Sequence, residues 1–69
     1  MNEVTGKQHQ LNLAGQVKEI LERKEAFKIW FQKEINYMDV TNVNNWFKGK
    51  YLFSPKVVER IEMFVKRYY

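Results

Sequence analysis

One stretch constrains the fold of this chain more than any other: residues 38–50, with the sequence MDVTNVNNWFKGK. When the stretch is placed on a helix, its apolar and polar residues fall on opposite sides. The apolar side holds Val40, Val43, Trp46 and Phe47. The polar side holds Thr41, Asn44, Asn45 and Lys48. The pattern predicts a short helix over residues 40–48 with one apolar face and one amide-rich face.

Both ends of this helix carry sequence signals. Asp39 precedes the apolar pattern, where a carboxylate can accept the unpaired backbone N–H groups of a first turn. Gly49 follows the pattern, where a helix often ends in a residue with positive φ. Because Asn is a poor helix former, three Asn residues in one short helix point to a role outside folding.

Length and composition exclude several classes of protein. A chain of 69 residues without Cys predicts one small domain without disulfides or thiolate metal sites. His9 is the single His, and no nucleophile–base set or glycine-rich phosphate loop is present, so we expect no enzyme activity, metal, cofactor or small-molecule substrate. No apolar run approaches the roughly 18 residues of a membrane span, so we expect a cytoplasmic protein without a membrane partner.

The N-terminal half is less clearly marked. Residues 1–10 are polar and lack periodicity, so we expect a flexible N-terminal arm before one domain over residues 11–69. Asn12 is predicted to cap a first helix over residues 13–24. The apolar positions of that helix are Leu13, Val17, Ile20 and Leu21, and its solvent-facing positions are Lys18, Glu19, Glu22 and Arg23.

Two more helices flank the organising one. Residues 26–35 predict a helix with apolar positions Phe27, Trp30, Phe31 and Ile35. Neither Gly nor Pro separates it from the first helix, so one bent helix over residues 13–35 is the alternative. Ser54 and Pro55 mark the start of a last helix, whose core positions are Val57, Val58, Ile61, Phe64 and Val65.

Together these elements predict an all-α, compact bundle of about four short helices. The second and third helices are joined by a tight turn in which Asn36 is the residue best able to adopt the left-handed conformation. Phe31, Val43 and Trp46 are expected in the core between them. Two helices joined in this way form a helix-turn-helix.

The net charge of +4 is unevenly distributed. Residues 1–39 hold equal numbers of basic and acidic side chains, whereas residues 40–69 hold six Lys or Arg against two Glu. A basic surface attracts the phosphate backbone of nucleic acids. The alternative is that these are ordinary solvated side chains.

Residues 43–55 carry a motif: Val43, two polar residues, Trp46, two more residues, then Gly-Lys, a short loop and Ser-Pro. The motif resembles the phage repressor and Cro-type helix-turn-helix family, and Phe31 and Ile35 match apolar positions of the family's second helix. The resemblance implies binding of double-stranded DNA by the third helix in the major groove. Two features depart from the family: Gln32 replaces a small residue, and Asn36-Tyr37 replaces a turn Gly, with a turn one residue longer.

Residues 43–47 also resemble the start of a homeodomain recognition helix, and residues 28–32 resemble the same element. The copy at residues 28–32 has too little chain before it for the two helices that precede a homeodomain recognition helix. The first lacks the family's adenine-reading Asn, because Gly49 stands there, and Pro55 ends the helix that should follow. The repressor alignment and the homeodomain alignment of residues 43–47 both place Asn45 and Lys48 on exposed positions of a recognition helix.

The candidate site follows from the polar face and the basic residues around it. A side-chain amide offers a donor and an acceptor, which suits a purine edge in the major groove. The predicted base contacts are Thr41, Asn42, Asn44, Asn45 and Lys48. The predicted phosphate contacts are Lys28, Gln32, Lys50 and Lys56. We expect a bacterial or phage transcriptional regulator, such as a repressor, or its DNA-binding domain, with a possible homodimer through the C-terminal helix and its tyrosines.

A different class of function is the main alternative. A small helical domain can bind a partner protein without reading DNA, and an aromatic patch would serve that role. The candidate patch is Tyr51, Phe53, Tyr68 and Tyr69. RNA binding by the basic face is a third possibility.

Overall fold

The computed structural model describes residues 6–69, in which four α-helices occur and no strands. The helices are α1 (Lys7–Lys24), α2 (Lys28–Glu34), α3 (Val40–Phe47) and α4 (Pro55–Tyr68). α1 packs against both α3 and α4. The predicted all-α class and the number of helices are confirmed.

The first helix begins earlier than the sequence pattern predicts. α1 starts at Lys7 with Gly6 as its N-cap, so Asn12 lies inside the helix and caps nothing. The expected flexible arm is therefore wrong for residues 7–10, while residues 1–5 lie outside the described part of the chain. Tertiary contacts hold this first part of α1: the Nε2 atom of His9 lies 2.6 Å from a carboxylate oxygen of Glu62 on α4, and Gln10 is buried.

The boundary between α1 and α2 is a left-handed residue that is not Gly. Glu25 has φ 51°, and its N–H donates to the carbonyl of Glu22. The N–H of Ala26 donates to the carbonyl of Leu21 at 2.9 Å, which closes the helix end. The prediction of two separate helices is thus confirmed, and the alternative of one bent helix is wrong. Phe27 is 79% exposed, so its expected core position is wrong, because α2 begins after it and turns Phe31 and Ile35 inward.

Aromatic rings from α2, α3 and α4 fill the centre of the domain. Phe31 stacks on Trp46 with ring centroids 6.1 Å apart, and meets Phe64 edge-on at 5.0 Å. Full burial of one such side chain contributes about 1.5–3 kcal/mol. The predicted core positions of Phe31, Val43 and Trp46 are confirmed. The predicted stripe on α4 is also buried, namely Val57, Val58, Ile61, Phe64 and Val65.

The connections on either side of α3 follow the turn chemistry of the sequence. Asn36 has φ 55°, as predicted, and the N–H of Tyr37 donates to the carbonyl of Gln32 at 2.9 Å. Ser54 is the N-cap of α4 and Pro55 is its first residue, also as predicted. No helix among residues 6–69 has both the length and the apolar character needed to cross a membrane.

Candidate nucleic-acid interface

Both ends of α3 form as the sequence predicts. A carboxylate oxygen of Asp39 accepts the backbone N–H of Asn42 at 3.2 Å, so Asp39 caps the helix. Gly49 has φ 80°, and its N–H donates to the carbonyl of Trp46 at 3.0 Å. The N–H of Lys50 donates to the carbonyl of Asn45 at 2.8 Å, which closes the last carbonyls of the helix. The helix itself ends at Phe47, with Lys48 as its C-cap.

The buried face of α3 is narrower than expected. Val43, Trp46 and Phe47 are buried, but Val40 is 53% exposed, so its predicted place on the apolar face is wrong. Val40 is the first residue of the helix and lies beyond the reach of the core. Three side chains therefore attach α3 to the domain and leave its opposite side to solvent.

A buried glutamine fixes α3 against α1 and the following loop. The side-chain oxygen of Gln10 accepts the indole N–H of Trp46 and the backbone N–H of Phe53, both at 2.9 Å. The side-chain nitrogen of Gln10 donates to the carbonyl of Phe53 at 3.1 Å. Sequence reasoning missed this residue because it stands in a polar, aperiodic stretch. The only available signal was that a buried Trp needs an acceptor for its N–H.

The predicted polar face of α3 is present as one surface. Thr41 and Lys48 are exposed, and Asn44 and Asn45 are half-buried. The side-chain oxygen of Asn44 accepts the ammonium of Lys28 at 3.0 Å, so the first turn of α2 lies beside this face. Within residues 6–69 the side-chain amide of Asn45 makes no hydrogen bond, and both its donor and its acceptor are available.

Asn42 serves the turn before α3. Its side-chain nitrogen donates to the hydroxyl of Tyr37 at 2.9 Å and to a carboxylate oxygen of Asp39 at 3.2 Å. Both amide protons of Asn42 are thus used within the chain, and the group expected to donate to a base instead holds the turn.

The Tyr37 side chain also affects Tyr51. A hydrogen bond with it raises the pKa of Tyr51, with smaller contributions from burial and from the charge of Asp39.

Gln32 does not face solvent. It is 2% exposed, and its side-chain nitrogen donates to the carbonyl of Tyr37 at 3.3 Å. The predicted phosphate contact from Gln32 is therefore wrong. The Tyr37 carbonyl is partly buried in the turn between α2 and α3, and Gln32 provides a donor for it.

The other predicted phosphate contacts are on the surface. Lys28, Lys50 and Lys56 are all exposed, and the ammonium of Lys28 lies 5.1 Å from the centroid of the Phe47 ring. Lys18 of α1 joins them, with its ammonium 6.0 Å from the same centroid. The sequence pattern places Lys18 only on a solvated helix face, because no local signal relates α1 to Phe47.

The acidic side chains near this surface are few. Residues 40–50 contain no Asp or Glu, and Asp39 is bound to the start of α3. Two carboxylates form ion pairs in residues 6–69, namely Glu19 with Arg23 and Glu34 with Arg67, and a carboxylate oxygen of Glu62 lies 2.6 Å from the Nε2 atom of His9. Residues 40–50 thus carry positive side chains, Lys48 and Lys50, and no negative ones.

The expected aromatic patch does not form one surface. Phe53 is buried, and Tyr51 packs on it beside the start of α4. Tyr68 packs on Trp30 at the other end of α4, which is about 20 Å long at 1.5 Å per residue. The hydroxyls of Tyr68 and Tyr69 donate to Glu34 and Glu19 of the same chain, so both tyrosines already have partners.

Two further observations bear on the kind of site this is. Within the described residues, no group of three His, Cys, Asp or Glu side chains is placed to hold a metal ion. Comparison of the chain with protein-family models, with curated protein sequences and with solved structures gives no match.

Proposed function

We propose that this protein binds double-stranded DNA sequence-specifically through the polar face of α3. The observation that carries the proposal is the geometry of this face. Thr41, Asn44, Asn45 and Lys48 lie together on the side of α3 that faces away from the core. The position of Lys28 beside Asn44 adds a basic side chain at the edge of the face.

The chemistry of the face suits the major groove, which admits an α-helix. The amide of Asn45 can donate to and accept from an adenine edge, and it breaks no internal bond to do so. Asn44 would first release Lys28, and this costs little because the bond between them is exposed. Lys28, Lys50 and Lys56 would then contact phosphates and set the register of the helix on the duplex.

The arrangement of α2 and α3 supports the same function. α2 ends at Glu34 and α3 begins at Val40, so residues 35–39 connect the two helices. α2 presents Lys28 in its first turn, and the core ring Phe31 packs against Trp46 and Phe47 of α3. A rigid pair of helices with one face free is what a helix-turn-helix requires.

We further propose that the protein is a transcriptional regulator of bacterial or phage type that acts in the cytoplasm. One recognition helix reads only a few base pairs, so useful affinity calls for a second copy or a second domain. A homodimer through the exposed side of α4 is the arrangement we propose. Met63, which is 68% exposed, lies on that side.

The experiment that tests the proposal is fluorescence anisotropy of the protein on a pool of randomised duplex DNA over a salt series. The bound fraction is then sequenced. A steep salt dependence with an enriched motif supports sequence-specific binding, and an inverted repeat in that motif supports the dimer. Binding without a motif would remove the base-reading role of α3, and no binding at low salt would overturn the proposal.

A further inference from the structure

The ring of Phe47 lies beside two lysines from different helices. The ammonium of Lys18 on α1 is 6.0 Å from the ring centroid, and that of Lys28 on α2 is 5.1 Å from it. Phe47 itself is 7% exposed, so its ring is enclosed by the domain and by its neighbours. A cation over an aromatic face is attracted by the ring quadrupole, and this attraction favours both ammonium positions.

These two lysines have no carboxylate within ion-pair distance in the described residues. Glu19, the neighbour of Lys18 in the chain, is instead paired with Arg23 at 3.1 Å. Two ammonium groups without ion-pair partners near one ring leave positive charge that a bound anion would neutralise.

The position of the pair relates it to the polar face of α3. Lys28 donates to Asn44, and Lys48 follows Phe47 directly. Lys28 therefore lies at the edge of the polar face of α3, and Lys18 shares the Phe47 ring with it. Lysine binds phosphate as a mobile point charge, which suits a diester that carries one charge per nucleotide.

We propose that Lys18 and Lys28, held against Phe47, form a binding site for a backbone phosphodiester of duplex DNA. α1 then takes part in DNA binding beside α3, and the half of the sequence with no net charge supplies two of the phosphate contacts. This inference rests on the proposed function. The other possible role of the lysines is to shield the Phe47 ring with their apolar stems.

The test compares Lys18→Gln and Lys28→Gln with Lys33→Gln, an equal loss of charge at an exposed position in the last turn of α2. Each protein is titrated with a mixed-sequence duplex over a salt series. We expect the slope of log K against log salt to fall by about 0.9 for each of the first two variants and by about twice that for the double variant. Lys33→Gln is expected to keep the wild-type slope.

The outcomes separate this inference from the function on which it rests. A wild-type slope for Lys18→Gln, on a duplex that the unmodified protein binds, would overturn the site and leave DNA binding by α3 intact. Absence of binding by the unmodified protein would overturn both. Lys18→Met keeps an apolar stem over the ring and so controls for shielding. If Lys18 contacts a phosphate, the salt slope of Lys18→Met must fall by the same amount as that of Lys18→Gln, while its thermal unfolding stays unchanged.

Discussion

The indole N–H of Trp46 donates to the side-chain oxygen of Gln10 at 2.9 Å, and each residue is only 1% exposed. The same oxygen accepts the N–H of Phe53, so one amide joins α1, α3 and the loop before α4. Because these hydrogen bonds are buried, water would not replace them if they were lost. The orientation of α3 thus depends on a residue in the first turn of α1.

Gln10→Leu is expected to destabilise the domain by about 2–3 kcal/mol, because the change leaves buried donors on Trp46 and Phe53 without an acceptor. The measurement is the free energy of unfolding in urea. Gln8→Leu is the matched control, since Gln8 is exposed and bonds only to Asn12 of the same helix in the described residues. It should change stability by less than about 0.5 kcal/mol. Equal losses from the two variants would contradict the role of Gln10.

Gly49→Ala is expected to destabilise the domain by about 1–2 kcal/mol, because Gly49 has φ 80° and a Cβ there would lie 3.3 Å from the side chain of Leu11. Gly15→Ala provides a control of opposite sign. Gly15 lies within α1, and a Cβ at that position meets no atom within 4 Å. That change should stabilise the domain by about 0.5–1 kcal/mol. Thermal unfolding of both variants checks the pair, and a neutral Gly49→Ala would contradict the argument.

Asn45→Ala should lower discrimination between a selected duplex and a scrambled one by about 1–3 kcal/mol, since it removes an amide proposed to contact a base. Lys50→Ala should weaken binding to both duplexes about equally, because a phosphate contact carries no sequence information. Competition binding at fixed salt measures, for each variant, the ratio of its affinities for the selected and the scrambled duplex. An equal loss on both duplexes for Asn45→Ala would exclude Asn45 from base reading.

Asp39→Asn is expected to tighten binding to any duplex, because it removes a negative charge at the start of α3 that repels phosphates. Stability should fall by only about 0.5 kcal/mol, since Asn keeps the cap bond to the Asn42 N–H and loses only the exposed bond from the Asn42 side chain. Asp39→Ala separates the two effects: it removes the same charge but loses the cap, at a cost of about 1 kcal/mol. Affinity and unfolding of both variants are measured together. Weaker binding by Asp39→Asn would contradict the placement of DNA along α3.

Hydrogen bonds from Arg23 and, to a smaller extent, Tyr69 lower the pKa of Glu19. A carboxyl whose pKa is lowered on folding adds stability above its unfolded pKa, and this stability is lost as the pH falls through the folded pKa. Arg23→Gln should therefore raise the pKa of Glu19 toward its usual value, and Tyr69→Phe should raise it less. Carboxyl chemical shifts in an acid titration measure both, and an unchanged pKa in Arg23→Gln would contradict the assigned cause.

The elements that sequence reasoning predicted well are those with local signals. Asp39 and Gly49 bound α3 through bonds to residues a few positions away. Ser54 starts α4 through its backbone carbonyl, which accepts the N–H of Val58, and Pro55 supplies the fixed φ of a first helical residue. Apolar spacing identified the buried stripe of α4. These features depend on neighbours in the chain, so a single sequence contains them.

The errors share one physical cause. Phe27 looked like a core residue and is exposed, while Gln32 looked like a surface residue and is buried. Each outcome depends on where α2 begins and how it is rotated against α3 and α4. Residue type alone does not determine that rotation, because it is set by contacts with residues far along the chain, such as those of Phe31 with Trp46 and Phe64.

By itself, the sequence determined the helical class, the limits of α3, the start of α4 and the division of α3 into an apolar and a polar face. Only the tertiary structure decided that α1 begins at Lys7, that Gln10 bonds to Trp46 and Phe53, and that Lys18 lies beside Phe47. The reason is distance along the chain. Local patterns record hydrogen bonding and periodicity over one or two turns, whereas Gln10 meets partners 36 and 43 residues away, which only packing of the whole domain brings together.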